Sequence, residues 1–141
     1  MGNFRKVSSG EIEKVLANTT RQYFVGNLKK PQELPFVQDD QLEIGITDYT
    51  EYTTEKVHYH TETVEYIYLI SGWTKYMDVE TEEVQEYRAG DFYCIETGTV
   101  YAQKSAPGTR LLFVKVPSKN DKQEVETSDL VRDWYEKGME K

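Results

Sequence analysis

From Leu42 onward the chain breaks into short runs rich in Val, Ile, Thr, Tyr and Phe, separated by turn residues every 8 to 12 positions or so. The runs are Leu42–Tyr49, Lys56–His60, Val64–Ile70, Thr74–Val79, Glu83–Tyr87, Asp91–Ile95, Val100–Lys104 and Arg110–Val116. Gly72, Gly90, Gly98 and Pro107-Gly108 supply the clearest turns. Runs of this length are too short for helices, and no helical pattern alternates with them. A doubly wound α/β fold is therefore excluded, and an all-β sandwich or barrel is predicted.

The flanks read differently. Ser8 with Glu11 three residues later is a capping-box pattern, and Ile12, Val15 and Leu16 follow at helical spacing. These predict a short helix over about residues 9 to 17, ended by Asn18-Thr19-Thr20. Lys29-Lys30-Pro31 and Leu34-Pro35 mark a loop, because proline removes a donor and restricts the residue before it. Beyond the last run, Pro117 to Gln123 reads as a polar exit loop. Thr127 or Ser128 can cap a final helix with Leu130, Val131, Trp134 and Tyr135 on its apolar face. So short a helix needs a surface to cover, either the barrel or a second subunit. The expected organisation is one domain: a helix and arm over 1–40, a barrel over 41–117, and a loop and helix over 118–141.

Composition narrows the function classes. The 141 residues hold 17 Lys plus Arg and 25 Asp plus Glu, a net charge of −8. No basic footprint exists for nucleic acid or an anionic membrane. A mean hydropathy of −0.72 agrees with the lack of any run approaching the roughly 18 apolar residues of a membrane span. A single Cys forbids an internal disulfide framework and suits a reducing cytoplasm. The start, MGNFRKVSSG, lacks the apolar core of a secretory signal, and Gly2 alone is a weak acylation signal.

The chain has 11 Tyr and only two His, and both histidines fall in one run, His58-Tyr59-His60. On a strand, residues i and i+2 share a face, so the two imidazoles can reach one point. Glu65 follows after Thr61-Glu62-Thr63-Val64, room for a turn into the next strand, and Glu62 is an alternative to it. Two imidazoles and a carboxylate suit Fe, Mn, Ni, Co or Zn as divalent ions. The competing reading is a hydrogen-bonded polar pocket without metal, since acids are common in this chain.

The string His58-x-His60-x4-Glu65-x6-Gly72 resembles the first motif of the cupin superfamily, with Gly45 further upstream than that motif places its leading glycine. Gly90-Asp91-Phe92-Tyr93-Cys94-Ile95-Glu96-Thr97-Gly98-Thr99-Val100-Tyr101 is similar to the second. The resemblance covers about residues 40 to 116. It implies a double-stranded β-helix (jelly-roll) barrel, a metal site inside it and a homodimer. Two positions depart from the pattern: Glu96 stands in place of the family's proline, and Tyr101 in place of its last histidine ligand.

A phenol with a pKa near 10 is a poor ligand for a divalent ion at neutral pH. Gln103, two residues on, shares the face of Tyr101 and offers a neutral amide oxygen. The expected metal set is His58, His60 and Glu65, completed by Gln103 or water, with Tyr101 or Glu96 moving a proton. If Glu65 faces inward, Ile67 and Leu69 do too, and Tyr66 and Tyr68 face outward. Cys94 reads as a small buried hydrophobe rather than a nucleophile. The resemblance implies an enzyme of isomerase, epimerase or lyase type on a small carbohydrate-like or carboxylated metabolite, or a dioxygenase. The alternative is a non-catalytic small-ligand (sugar) binder or sensor with a partly lost metal site.

Overall fold

The computed structural model describes residues 3–140; Gly2 lies outside the described residues. The N-terminal helix α1 (Ser9–Leu16) begins where the capping box predicts. Ser8 Oγ accepts from the Glu11 amide (3.2 Å) and Glu11 Oε1 accepts from the Ser8 amide (3.1 Å), so two otherwise unpaired donors are satisfied. Val15 and Leu16 are its buried side.

Eleven strands follow: β1 (Arg21–Gly26), β2 (Val37–Gln38), β3 (Glu43–Tyr49), β4 (Thr53–His60), β5 (Val64–Ser71), β6 (Trp73–Asp78), β7 (Val84–Arg88), β8 (Phe92–Ile95), β9 (Tyr101–Ser105), β10 (Thr109–Val116) and β11 (Lys122–Glu124). A last helix, α2 (Asp129–Glu136), is capped by Ser128, whose side chain accepts from the Val131 amide. One sheet has the order β2-β1-β3-β10-β5-β8, the other β11-β4-β9-β6-β7. Consecutive strands β4 and β5 lie in different sheets, and so do β8 and β9. That alternation is the double-stranded β-helix implied by the resemblance.

Every strand read from residues 42 to 116 is present to within a few residues. The segment read as an exit loop requires correction, because Lys122–Glu124 pairs with His58–His60 as β11. Its sequence, Lys-Gln-Glu, has no apolar signal, and the partner strand alone holds it extended. Arg21–Gly26 also forms a strand, central in its sheet between β2 and β3, although Arg21 and Gln22 break the apolar pattern.

The interior between the sheets is unusually rich in phenols. Tyr49, Tyr76, Tyr93 and Tyr101 are buried with Ile67, Leu69, Leu111 and Phe113. Each of those hydroxyls finds a partner: Tyr93 donates to Tyr76 (2.8 Å), Tyr101 donates to Glu65 (2.9 Å), and Tyr49 bonds to Glu55. A second cluster, Val57, Met77, Ala102 and Val131, lies on the outer face of the five-stranded sheet beneath α2. The apolar face read for α2 is corrected at one position: Val131 is buried, whereas Leu130 is 45% exposed. Tyr66 and Tyr68 face outward as expected, but Cys94 is exposed, because the alternation of β8 turns Tyr93 inward instead.

Gly72 joins β5 to β6 at φ +89°, and a Cβ there would stand 2.4 Å from Thr109 Cα. Both the backbone angle and the space demand glycine. Gly72→Ala is therefore expected to cost about 3 kcal/mol, the sum of a left-handed residue and an overpacked contact. Urea unfolding measures it, with Gly108→Ala as comparison, since that site has similar φ and open space.

Candidate metal centre

The site begins with an irregularity in β4. Against β9, Glu55 pairs with Gln103 and His58 with Tyr101, so two residues of β4 oppose one of β9. This bulge lets Glu55 and His58 both face the interior although they are three apart. Val57, inside the bulge, is turned to the outer cluster under α2. Regular alternation then resumes and brings His60 in beside His58, with ring centroids 5.4 Å apart. Glu65 enters from β5 in the opposite sheet, paired with Lys115 and Ile95.

His58, His60 and Glu65 are all buried, and one ligand atom from each lies within 4.8 Å of the others. His58 Nδ1 is 2.6 Å from the Lys56 carbonyl, which places the proton there and leaves Nε2 as the ligand end. His60 Nδ1 is 2.8 Å from Asp121 Oδ1, which fixes the same tautomer. His60 Nε2 is then a sealed nitrogen with no hydrogen-bond partner, even though Glu65 Oε1 stands 3.1 Å away. A buried polar atom left bare is rare, and a lone pair aimed beside a carboxylate is the donor arrangement a cation completes. The residues therefore fit a divalent metal.

Electrostatics support ionised acids here. Burial pushes the Glu65 carboxyl up, but the His60 ring, the Lys115 charge and the Tyr101 hydroxyl hold it down at about 2. Burial acts in the same sense on Asp121, yet His60 and the amides of Glu62 and Thr63 hold it at about 2. Desolvation lowers the His58 pKa, which keeps it neutral. For His60 desolvation is outweighed by Glu65 and Asp121, and its pKa is raised. Desolvation also raises the Tyr101 phenol well above its ordinary value, so it stays protonated.

A cavity of about 50 Å³ adjoins these residues, lined by His58, Glu65, Tyr101, Gln103, Arg21 and Glu55 among others. Gln103 directs its amide nitrogen toward Ser105 Oγ (3.4 Å), leaving its oxygen as the end available to the cavity. Glu96 is not brought there. It is exposed and lines a different cavity, of about 280 Å³, which shares only Tyr76 and Tyr101 with the first. Glu62 is also outside the cluster, since its carboxylate pairs with Lys119 (2.8 Å) on the surface.

Sequence reasoning missed Asp121, Arg21 and Glu55. Asp121 lies 61 residues from His60 in a segment read as loop, and only the pairing of β11 with β4 brings it into contact. Because it orients a ligand, Asp121→Asn is expected to weaken metal affinity about 10- to 100-fold, read by competition with a chromophoric chelator.

No known family model matches the sequence, and no curated protein matches it. Solved structures do match. The nucleoside dehydratase Pac13 of Streptomyces has a TM-score of 0.58 at 12% identity, over 72% of this chain and 78% of that one. A double-stranded β-helix domain protein of Klebsiella pneumoniae has a TM-score of 0.55 at 16% identity, over 70% of this chain and 87% of that one. This is a cupin fold. The polyketide cyclase RemF of Streptomyces resistomycificus also aligns with this cupin barrel, with a TM-score of 0.53 at 18% identity. That alignment covers 64% of this chain and spans 64% of the cyclase's length. At such identities the likeness carries the fold, and the site geometry carries the chemistry.

Proposed function

We propose that the protein is a small metal-dependent enzyme that isomerises, epimerises or eliminates on a small polar, carbohydrate-like or carboxylated metabolite. The observation that carries this is the sealed Nε2 of His60 beside Glu65, with His58 completing a set of three possible donors. His58, His60 and Glu65 would hold the metal, with Gln103 as a fourth donor. A bound divalent ion would supply Lewis-acid polarisation of a substrate oxygen. Tyr101, kept protonated by burial and hydrogen-bonded to Glu65, serves as the proton donor at its Oη. Burial of the site excludes water from that transfer. Metal analysis of protein purified without chelator tests the reading: about one Fe, Mn, Ni, Co or Zn per chain supports it, and failure to load any of them sinks it.

One observation favours the non-catalytic binder instead. His60 lies between Glu65 and Asp121 with a raised pKa, so a protonated His60 could satisfy the pocket without metal. A thermal-shift screen separates the readings, because that pocket is stabilised by a ligand but by no metal.

Among the described residues no helix is long and apolar enough to cross a membrane. The exposed thiol of Cys94 and the absence of any disulfide partner favour the cytoplasm. We propose a homodimer formed through the outer face of the six-stranded sheet. There Phe92 (64% exposed), Tyr68 (46%) and Leu112 form one row across three strands, and Tyr66 lies in the next. An exposed apolar row of this kind is the usual centre of an interface, which in a standard dimer covers roughly 800 Å² per subunit. Light scattering should give twice the chain mass, and Tyr68→Glu should give the monomer; a monomeric wild type at about 100 μM removes the dimer.

A further inference from the structure

The metal-side cavity has a charge that the rest of the molecule does not. The chain is −8 overall. Yet Arg21, Lys115 and Lys122 line this cavity against two carboxylates, Glu55 and Glu65. With a divalent ion on Glu65 the local balance would be positive, a field that attracts an anion in a low-dielectric recess.

Arg21 is held in place. Its Nε donates to Thr47 Oγ1 (2.8 Å), and its Nη2 donates to Glu55 Oε2 (3.1 Å) and Tyr49 Oη (3.2 Å). Those three bonds come from β3 and β4, in opposite sheets, so the guanidinium is fixed on both sides of the barrel. Nη1 makes no hydrogen bond to any described residue and is not sealed away from solvent. A fixed guanidinium with a free arm is a preorganised donor for an oxyanion. Lys122 enters from β11 opposite His60, and its ammonium also has no ion-pair partner among the described residues.

We infer that Arg21 Nη1 and Lys122 Nζ form a carboxylate subsite, so that the substrate is a small hydroxy- or oxo-carboxylate whose acid group binds there. Its remaining oxygen faces His58, His60 and Glu65. The cavity of about 50 Å³ holds only a few heavy atoms, which limits the substrate portion within it to the acid group and its neighbours. This substrate class rests on the enzymatic reading, but the subsite can be tested without it.

The probe is glycolate, with ethylene glycol as its neutral counterpart and inorganic phosphate as the competing anion. Calorimetry and arginine Nε NMR are run on metal-free protein first, then on metal-loaded protein. Glycolate is expected to bind metal-free protein at least about 10-fold more tightly than ethylene glycol, with a shift of the Arg21 Nε signal. Arg21→Gln should remove that preference. Because this change leaves Glu55 with Tyr49 but without its cationic partner, Lys122→Gln provides a second arm. It has no partner to lose, and should weaken glycolate about 3- to 10-fold at unchanged Tm. Lys119→Gln, at a surface pair with Glu62, should change nothing. Equal binding of glycolate and ethylene glycol, or indifference to both substitutions, overturns the subsite. Phosphate binding without glycolate binding overturns the carboxylate assignment. Arg21-dependent glycolate binding in a protein that loads no metal keeps the subsite and removes the metalloenzyme.

Discussion

His60→Ala is expected to abolish stoichiometric metal binding while leaving the barrel folded. Wild-type protein should take up about one divalent ion per chain, and the variant's affinity should fall by more than the roughly 100-fold limit of an orienting residue. The contrast is sharp because His60 contributes only its Nε2 to the cluster, where its neighbour is the Glu65 carboxylate at 3.1 Å. Its Nδ1 partner, Asp121, keeps the amides of Glu62 and Thr63 as donors (2.7 and 2.9 Å), so the turn before β5 stays anchored. Glu65→Gln is the companion variant: it removes the charge but can still accept from Tyr101, and it should lose metal as well. The pH dependence has a definite sign. A raised His60 pKa means protons compete with the metal already above pH 6.5, so uptake weakens as pH falls through that raised value. Wild type and His60→Ala with equal affinity would exclude His60 as a ligand.

The second large effect lies outside the barrel. Val131→Asp is expected to destabilise the protein by about 4 kcal/mol, and to lower Tm by roughly 12 °C. Val131 is fully buried against Val57, Met77 and Ala102, and a carboxylate there meets no donor in that cluster. Val131→Ala, which removes only buried methyl surface, should cost about 2 kcal/mol. The helix also receives a bond from Lys104 Nζ to the Trp134 carbonyl (2.7 Å), with the ammonium 4.3 Å from the Trp134 ring. Tyr135 Oη reaches the Glu55 carbonyl (2.6 Å), at the bulge that aims His58. Loosening α2 should therefore weaken metal binding too, although the helix supplies none of the three proposed ligands. Differential scanning calorimetry and the chelator competition check the two parts separately. A Val131→Asp protein of wild-type Tm would show that α2 does not cover the sheet.

Glu65, Ile67 and Leu69 show what period-two alternation can deliver. One inward position on a strand fixes its neighbours, so three interior residues and the outward Tyr66 and Tyr68 were legible at once. His58 and His60 were legible for the same reason, as a pair on one face. Gln103 and Tyr101 were placed on one face too, and both line the cavity. Glu96 shows the limit: it lies one residue past the end of β8, exposed, and lines a different cavity. Cys94 failed for a related reason, because an apolar residue in a strand run can occupy either face, and the phase of β8 was set by Tyr93.

Local pattern determined the strands between residues 42 and 116, the turns, both helix caps and the pairing of the two histidines, because each depends on residues within a few positions of one another. Tertiary structure decided the rest. Asp121 oriented His60 only once β11 paired with β4, and Arg21 entered the cavity only when β1 inserted beside β3. The Lys-Gln-Glu of β11 carries no apolar signal, and in β1 the polar Arg21 and Gln22 precede the short run Tyr23-Phe24-Val25, so the partner strands decide both. The shortage of histidine was visible from composition, but its meaning was not. Tyr101 stands where the resembled motif has its last histidine, with its hydroxyl committed to Glu65, a bond across two sheets that no local spacing records.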